Sequence, residues 1–121
     1  MRRVISSVIV AASFGWGCGA SYPAPTQPLA DVQAADRSAK ELGAQNVPKA
    51  SLHLQYAEEQ TKQAKRLMDD DENQRAAALL VRAKADAELA VALAHEQRAK
   101  TAVEEAIRET KKTSSNPGVQ P

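Results

Sequence analysis

The sequence predicts an all-α fold, either an elongated antiparallel helical hairpin or a three-helix bundle, rich in alanine and with disordered termini. Three observations carry that prediction. Hydrophobic residues make up 43% of the chain and aromatics only 3%, so alanine supplies much of the apolar surface and a thin helical assembly is favoured over a thick core. Apolar residues recur at alternating steps of three and four, the repeat of a single helix face. Glycine and proline fall at element boundaries, and none interrupts the stretch from Asn73 to Thr110.

The helical domain is expected over residues 28–112. Thr26 is placed to cap a first helix with Pro28 in its opening turn, and Gly43 to end it. Its stripe is Leu29, Val32, Ala35, Ala39 and Leu42. A second helix runs from Pro48 to about Met68, with Ala50, Leu54, Ala57, Thr61, Ala64 and Met68 on one face. The acidic turn Asp69-Asp70-Asp71-Glu72 follows, and Asp71 with Gln74 has the spacing of a capping box.

The third helix is the longest, from about Asn73 to Thr110. It carries two apolar lines: Ala76, Leu80, Ala83, Ala87, Ala90 and Ala94, and then Ala85, Leu89, Ala92, Ala99, Val103 and Ala106, interrupted at Glu96. Two lines imply two neighbours. The short acidic link folds helices two and three antiparallel. Helix two then covers only the first part of helix three, and the rest overhangs, to be covered by helix one or by a second copy. Residues 113–121 read as a disordered tail.

The N-terminal region says most about address. Met1-Arg2-Arg3 is cationic, Val4 to Phe14 is mainly apolar, and Gly17 precedes the lone Cys18. The apolar run is too short to span a bilayer, which takes roughly 20 residues, and it suits the core of a secretory leader. It resembles a bacterial lipoprotein signal, whose Leu-Ala/Ser-Gly/Ala-Cys box is matched at Gly17 and Cys18 and departed from at Gly15 and Trp16. That resemblance implies a signal peptide over 1–17, diacylglycerol on Cys18, a flexible tether over 18–27, and lipid anchorage at the outer membrane on its periplasmic side, since Gly19 rather than Asp follows the cysteine. The alternative is cleavage after Ala20, giving a soluble periplasmic or secreted protein.

From Pro28 to about Glu105 the chain resembles a bacterial family filed as a domain of unknown function, number 4398. Pro48, Leu52, Tyr56, Ala57, Ala64 and Leu67 carry the likeness, with Ala83, Ala85, Asp86, Ala87, Glu88, Leu89 and Ala90 in the third helix. Members look like periplasmic lipoproteins, so the resemblance implies an address and an architecture, with no activity attached.

Chemistry is scarce. No Ser/His/Asp set, phosphate-binding glycine loop or Cys/His pair can be assembled, so an enzyme is not expected and no cofactor is implied. His53 and His95 lack the tight spacing of a metal pair and read as solvated helix histidines. Asp69-x-Asp71-x-Asn73 begins like a calcium loop, but Gln74 stands where the glycine belongs and Leu80 where the closing Glu belongs, so no metal is expected there. The chain has 16 Lys and Arg against 15 Asp and Glu. Arg2 and Arg3 leave with the leader, so the remainder is near neutral, which points away from a nucleic-acid partner. The expected role is a non-catalytic structural or adaptor element of the envelope. It would act by helix–helix association through Ala99, Val103, Ala106 and Ile107, with a second copy or an envelope protein as partner. The alternative is a binding module for peptidoglycan or an envelope complex.

Overall fold

The computed structural model describes residues 21–115. They form an all-α, up-down-up bundle: α1 (Thr26–Glu41), a short 3-10 turn (Ala44–Asn46), α2 (Pro48–Asp69) and α3 (Asn73–Ser114). The first line of α3 is the spine of this bundle. Ala76, Leu80, Ala83, Ala87, Ala90 and Ala94 are all completely buried. At the end of the bundle nearest the α2–α3 turn, Val32 of α1 and Ala64 of α2 pack with Ala76, Leu80 and Ala83. At the other end Ala39, Ala50 and Leu54 pack with Ala90 and Ala94. These two clusters fix α1 parallel to α3, with α2 antiparallel between them in sequence.

Among the described residues the buried apolar set is alanine except for Pro25, Val32, Leu54 and Leu80. Methyl-sized contacts let three backbones converge on one line, near the lower end of the usual interaxial range of about 8–10 Å. This corrects one expectation. The second line of α3 does not meet a second neighbour, because α1 and α2 share the first line and its flanks. Ala85, Leu89 and Ala92 are exposed. Helix α1 does dock, but alongside the same part of α3 that α2 covers.

The ends of the helices are set by backbone more than by side chains. Thr26 is not a cap: it is the first helical residue, Pro25 occupies the N-cap position and no side chain caps the helix. Pro25 is itself buried, which fixes where the chain turns into α1. Gly43 ends α1 as expected, at φ 81°, with its N–H donating to Lys40 O at 2.9 Å. Only glycine takes this left-handed conformation without a steric penalty. Pro48 opens α2 as expected, after an extended Val47.

The capping box is also corrected. Glu72, not Asp71, is the N-cap of α3, and no side-chain cap bond forms. Asp71 instead closes α2, at φ 59°. Its N–H donates to Met68 O at 3.2 Å and the N–H of Glu72 donates to Leu67 O at 2.8 Å, the paired bonds of a Schellman ending. Helix α3 continues to Ser114, so Thr113 and Ser114 are helical rather than part of a tail. Thr26 and Gln27, assigned to the tether, are likewise helical. The leader over 1–17, Cys18 and the next two residues of the tether lie outside the described residues, as do residues 116–121 of the tail.

Candidate association surface

Beyond Ala94, α3 leaves the bundle. Every residue from His95 to Ser115 is exposed, and 20 residues of helix span about 30 Å. A lone helix of this length is marginal in water. Its own polar face supports it: Lys100 Nζ lies 2.5 Å from Glu96 Oε1 and Arg108 Nη2 lies 3.5 Å from Glu104 Oε2, both four residues apart. Hydrogen bonding to Lys100, then its charge, holds the Glu96 carboxyl below the usual carboxylate range. Lys111 and Lys112 sit in the last turn, where cations oppose the negative end of the helix dipole.

The four residues expected to form the partner surface fall on one side of this segment. Ala106 and Ile107 line a shallow face with Val103, Thr110 and Ser114, and Ala99 continues it with Val103 toward Glu96. Val103 is 58% and Ile107 50% exposed. The segment is a single helix and encloses no cavity; it is a strip. Nothing in the described chain covers it.

The strip does not stop at the bundle. Ala85, Leu89, Ala92, Ala99, Val103 and Ala106 carry the line from the covered into the uncovered part of α3, broken at Glu96. At 100° per residue this line falls on roughly the opposite side of the helix from the buried one. Leu89 is 42% exposed. Beside its N-terminal half runs a groove between α2 and α3, lined by Gln63, Leu67, Ala78, Leu79, Arg75 and Arg82. Periodicity announced the line in the sequence; the groove needed α2 to be placed.

One polar arrangement was not anticipated. His53 is half-buried rather than solvated, with Nδ1 2.8 Å from Asp86 Oδ1. Gln60 Nε2 donates to Asp86 Oδ2 at 2.7 Å. Asp86 thus ties two turns of α2 to one of α3. The residues stand 33 and 26 apart in the chain, so only the hairpin register could have paired them. His95 is exposed as expected. Among the described residues no group of three or more His, Cys, Asp or Glu could hold a metal ion. A second polar tie joins α1 to α2: Lys40 Nζ lies 2.7 Å from Asp36 Oδ2 and 2.6 Å from Glu58 Oε1. Hydrogen bonds to Asp36 and then Glu58 hold the Lys40 ammonium above its usual range.

No described helix is long and apolar enough to cross a membrane. The chain is all-α, and no family model, curated protein or solved structure matches it. The likeness of its helices to the family of unknown function therefore stays a resemblance of residues.

Proposed function

We propose that this chain is a non-catalytic, lipid-anchored protein of the bacterial envelope, facing the periplasm from the outer membrane, and that it serves as a structural or adaptor element through the overhanging half of α3. The exposed strip Ala99, Val103, Ala106 and Ile107 is the observation that carries the reading. A helix that extends about 30 Å past its own bundle, with an unpaired apolar face, is built to be covered. The leader ending at Gly17-Cys18 supports the address, and the lipoprotein likeness of the helical region agrees with it.

Geometry adds an orientation. Asn73 Nδ2 donates to Tyr22 O at 3.1 Å, so the chain enters the bundle at the α2–α3 turn. The overhang leaves from the opposite end. A lipid on Cys18 would thus hold one end of the bundle near the membrane and leave the other free to reach a partner.

Three measurements test the proposal. Intact mass of membrane-extracted protein should show a diacyl or triacyl addition on the wild type and none on Cys18→Ser; cleavage after Ala20 would refute anchorage. Val103→Glu should abolish association and leave helicity unchanged; retained association would remove the strip from the account. Sedimentation with purified cell wall would replace the adaptor role by a peptidoglycan-binding one.

A further inference from the structure

We infer that the occupant of the α3 strip is a second copy of this chain, with the two α3 helices antiparallel and in one defined register. This deepens the proposed function by naming the partner of the strip, and it does not depend on the lipid. The first observation is one of length. The covered part of α3, 73–94, and the uncovered part, 95–114, are nearly equal. A dyad near the middle of the helix therefore lays each overhang flush along the outer face of the other copy's bundle. Each strip is then covered, and each groove between α2 and α3 is filled.

The second observation is the heptad. Ala78, Ala85, Ala92, Ala99, Ala106 and Thr113 recur every seventh residue, and Leu89, Glu96, Val103 and Thr110 recur between them. Together they form a seam five heptads long, with Arg82 on the same line. In an antiparallel pair the large residues of one copy face the small ones of the other. In the flush register Leu89 meets Ala99 of the second copy, and Ala85 meets its Val103. Large opposes small at both layers, the complementarity that close helix packing requires.

The flanking residues select that register. Leu79, Asp86, Lys100 and Ile107 share one flank of the seam, on the side where α2 stands. With the ends flush, Leu79 lies beside Ile107 of the second copy, and Asp86 beside its Lys100. Apolar meets apolar next to Leu67 in the groove, and opposite charges meet next to the His53 and Gln60 that hold Asp86 in place. Sliding by one heptad in one direction sets Asp86 against Ile107. Sliding in the other sets Leu79 against Lys100. Both alternatives forfeit the opposite-charge pair and set one of its members beside a large aliphatic side chain. In the flush register the seam charges Glu96 and Arg82 face only Ala92 and Ala106, whose small side chains leave those long ones room to reach water. Glu96 argues against the parallel pairing as well, because there it would face its own copy across the seam.

This arrangement places the two chain entries at opposite ends of a paired helix of 42 residues, about 63 Å apart. Where both copies carry lipid, the dimer lies along one membrane with an anchor near each end, or it ties two facing surfaces together.

The full chain carrying Cys18→Ser, studied in detergent over a concentration series, gives the test. Sedimentation equilibrium should return the mass of two chains. A mass of one chain throughout would overturn the inference. Mixing Ala85→Cys chains with Val103→Cys chains in that background should give a disulfide-linked heterodimer, while Val103→Cys alone should not link to itself. Efficient self-linking of Val103→Cys would mean a parallel pair and would also overturn it. Lys100→Asp lies in the exposed segment and leaves the bundle core untouched; it should raise the dimer dissociation constant about tenfold, from two surface pairs lost and reversed. Asp86→Lys chains mixed with Lys100→Asp chains should regain dimerisation, since one pair is then native and the other is restored with its signs exchanged. An unchanged dissociation constant for Lys100→Asp refutes the register. These outcomes are independent of the mass measured at Cys18, so anchorage and dimerisation stand or fall separately.

Discussion

The two halves of α3 share a period but differ in composition and in fate, with nine alanines from Asn73 to Ala94 and three from His95 to Ser114. From Asn73 to Ala94 the helix presents a line of alanines with Leu80 to α1 and α2, and every member of that line is fully buried. From His95 to Ser114 a line of the same period, Ala99, Val103 and Ala106, is exposed throughout. Burial is therefore a property of what stands opposite a helix face, and period alone does not confer it. Alanine sharpens the contrast. It loses little by being exposed and allows very close approach when covered, so one helix can be core at one end and docking surface at the other.

The largest effect that separates the halves is cavity formation. Leu80→Ala removes one of the two largest fully buried side chains and should cost about 2–5 kcal/mol in urea denaturation. Ile107→Ala, in the exposed half, should leave the stability of the single chain within about 0.5 kcal/mol. Equal losses would break the comparison. Next comes overpacking. Ala87→Leu should cost about 1–3 kcal/mol because α1 and α2 cannot both stay close, whereas Ala99→Leu should be tolerated by the monomer, as thermal melts of both variants would show.

Polar ties follow in size. Removing His53 leaves Asp86 with one fewer partner at a half-buried site, so His53→Ala should cost about 1 kcal/mol. Asp71→Gly should have the opposite sign and stabilise by roughly 0.5–1 kcal/mol, since a residue with a Cβ is strained at φ 59° and glycine is not. The smallest effect is on alkaline stability. The Lys40 pKa is raised in the fold, so its contribution is complete below the ordinary lysine range and is lost as pH climbs through the raised value. The pair is partly exposed, which limits the effect to a few tenths of a kcal/mol. Lys40→Met should flatten that part of a stability profile measured above about pH 10.

Much of this was legible in the residues. The stripes of α1 and α2, the turn at Gly43, the start at Pro48 and the buried line of α3 all follow from three-four spacing and from proline and glycine. The overhang followed from arithmetic, because α3 is too long for α2 to cover. What escaped the sequence was tertiary. Period shows that Ala85 and Leu89 share a face with Val103, but not that α1 and α2 would converge on the other face and leave this one open. Asp71 carried two competing signals, a capping oxygen for α3 and tolerance of the left-handed conformation at the end of α2. The tight backbone turn decided for the second. Thr26 lost its capping role to a buried Pro25 for a similar reason: packing set the point where the chain turns into the helix. His53 and Asp86 are paired by the register of the hairpin, which no local pattern encodes.

Amide hydrogen exchange along α3, measured on the full chain at low and at high concentration, tests the central claim most directly. The account predicts that amides from Ala76 to Ala94 are protected in both samples. Those from Ala99 to Thr110 should exchange rapidly when dilute and gain protection when concentrated, as each overhang docks on another chain. Exchange of the Ala99–Thr110 segment that is the same at both concentrations, whether fast or slow, would contradict it.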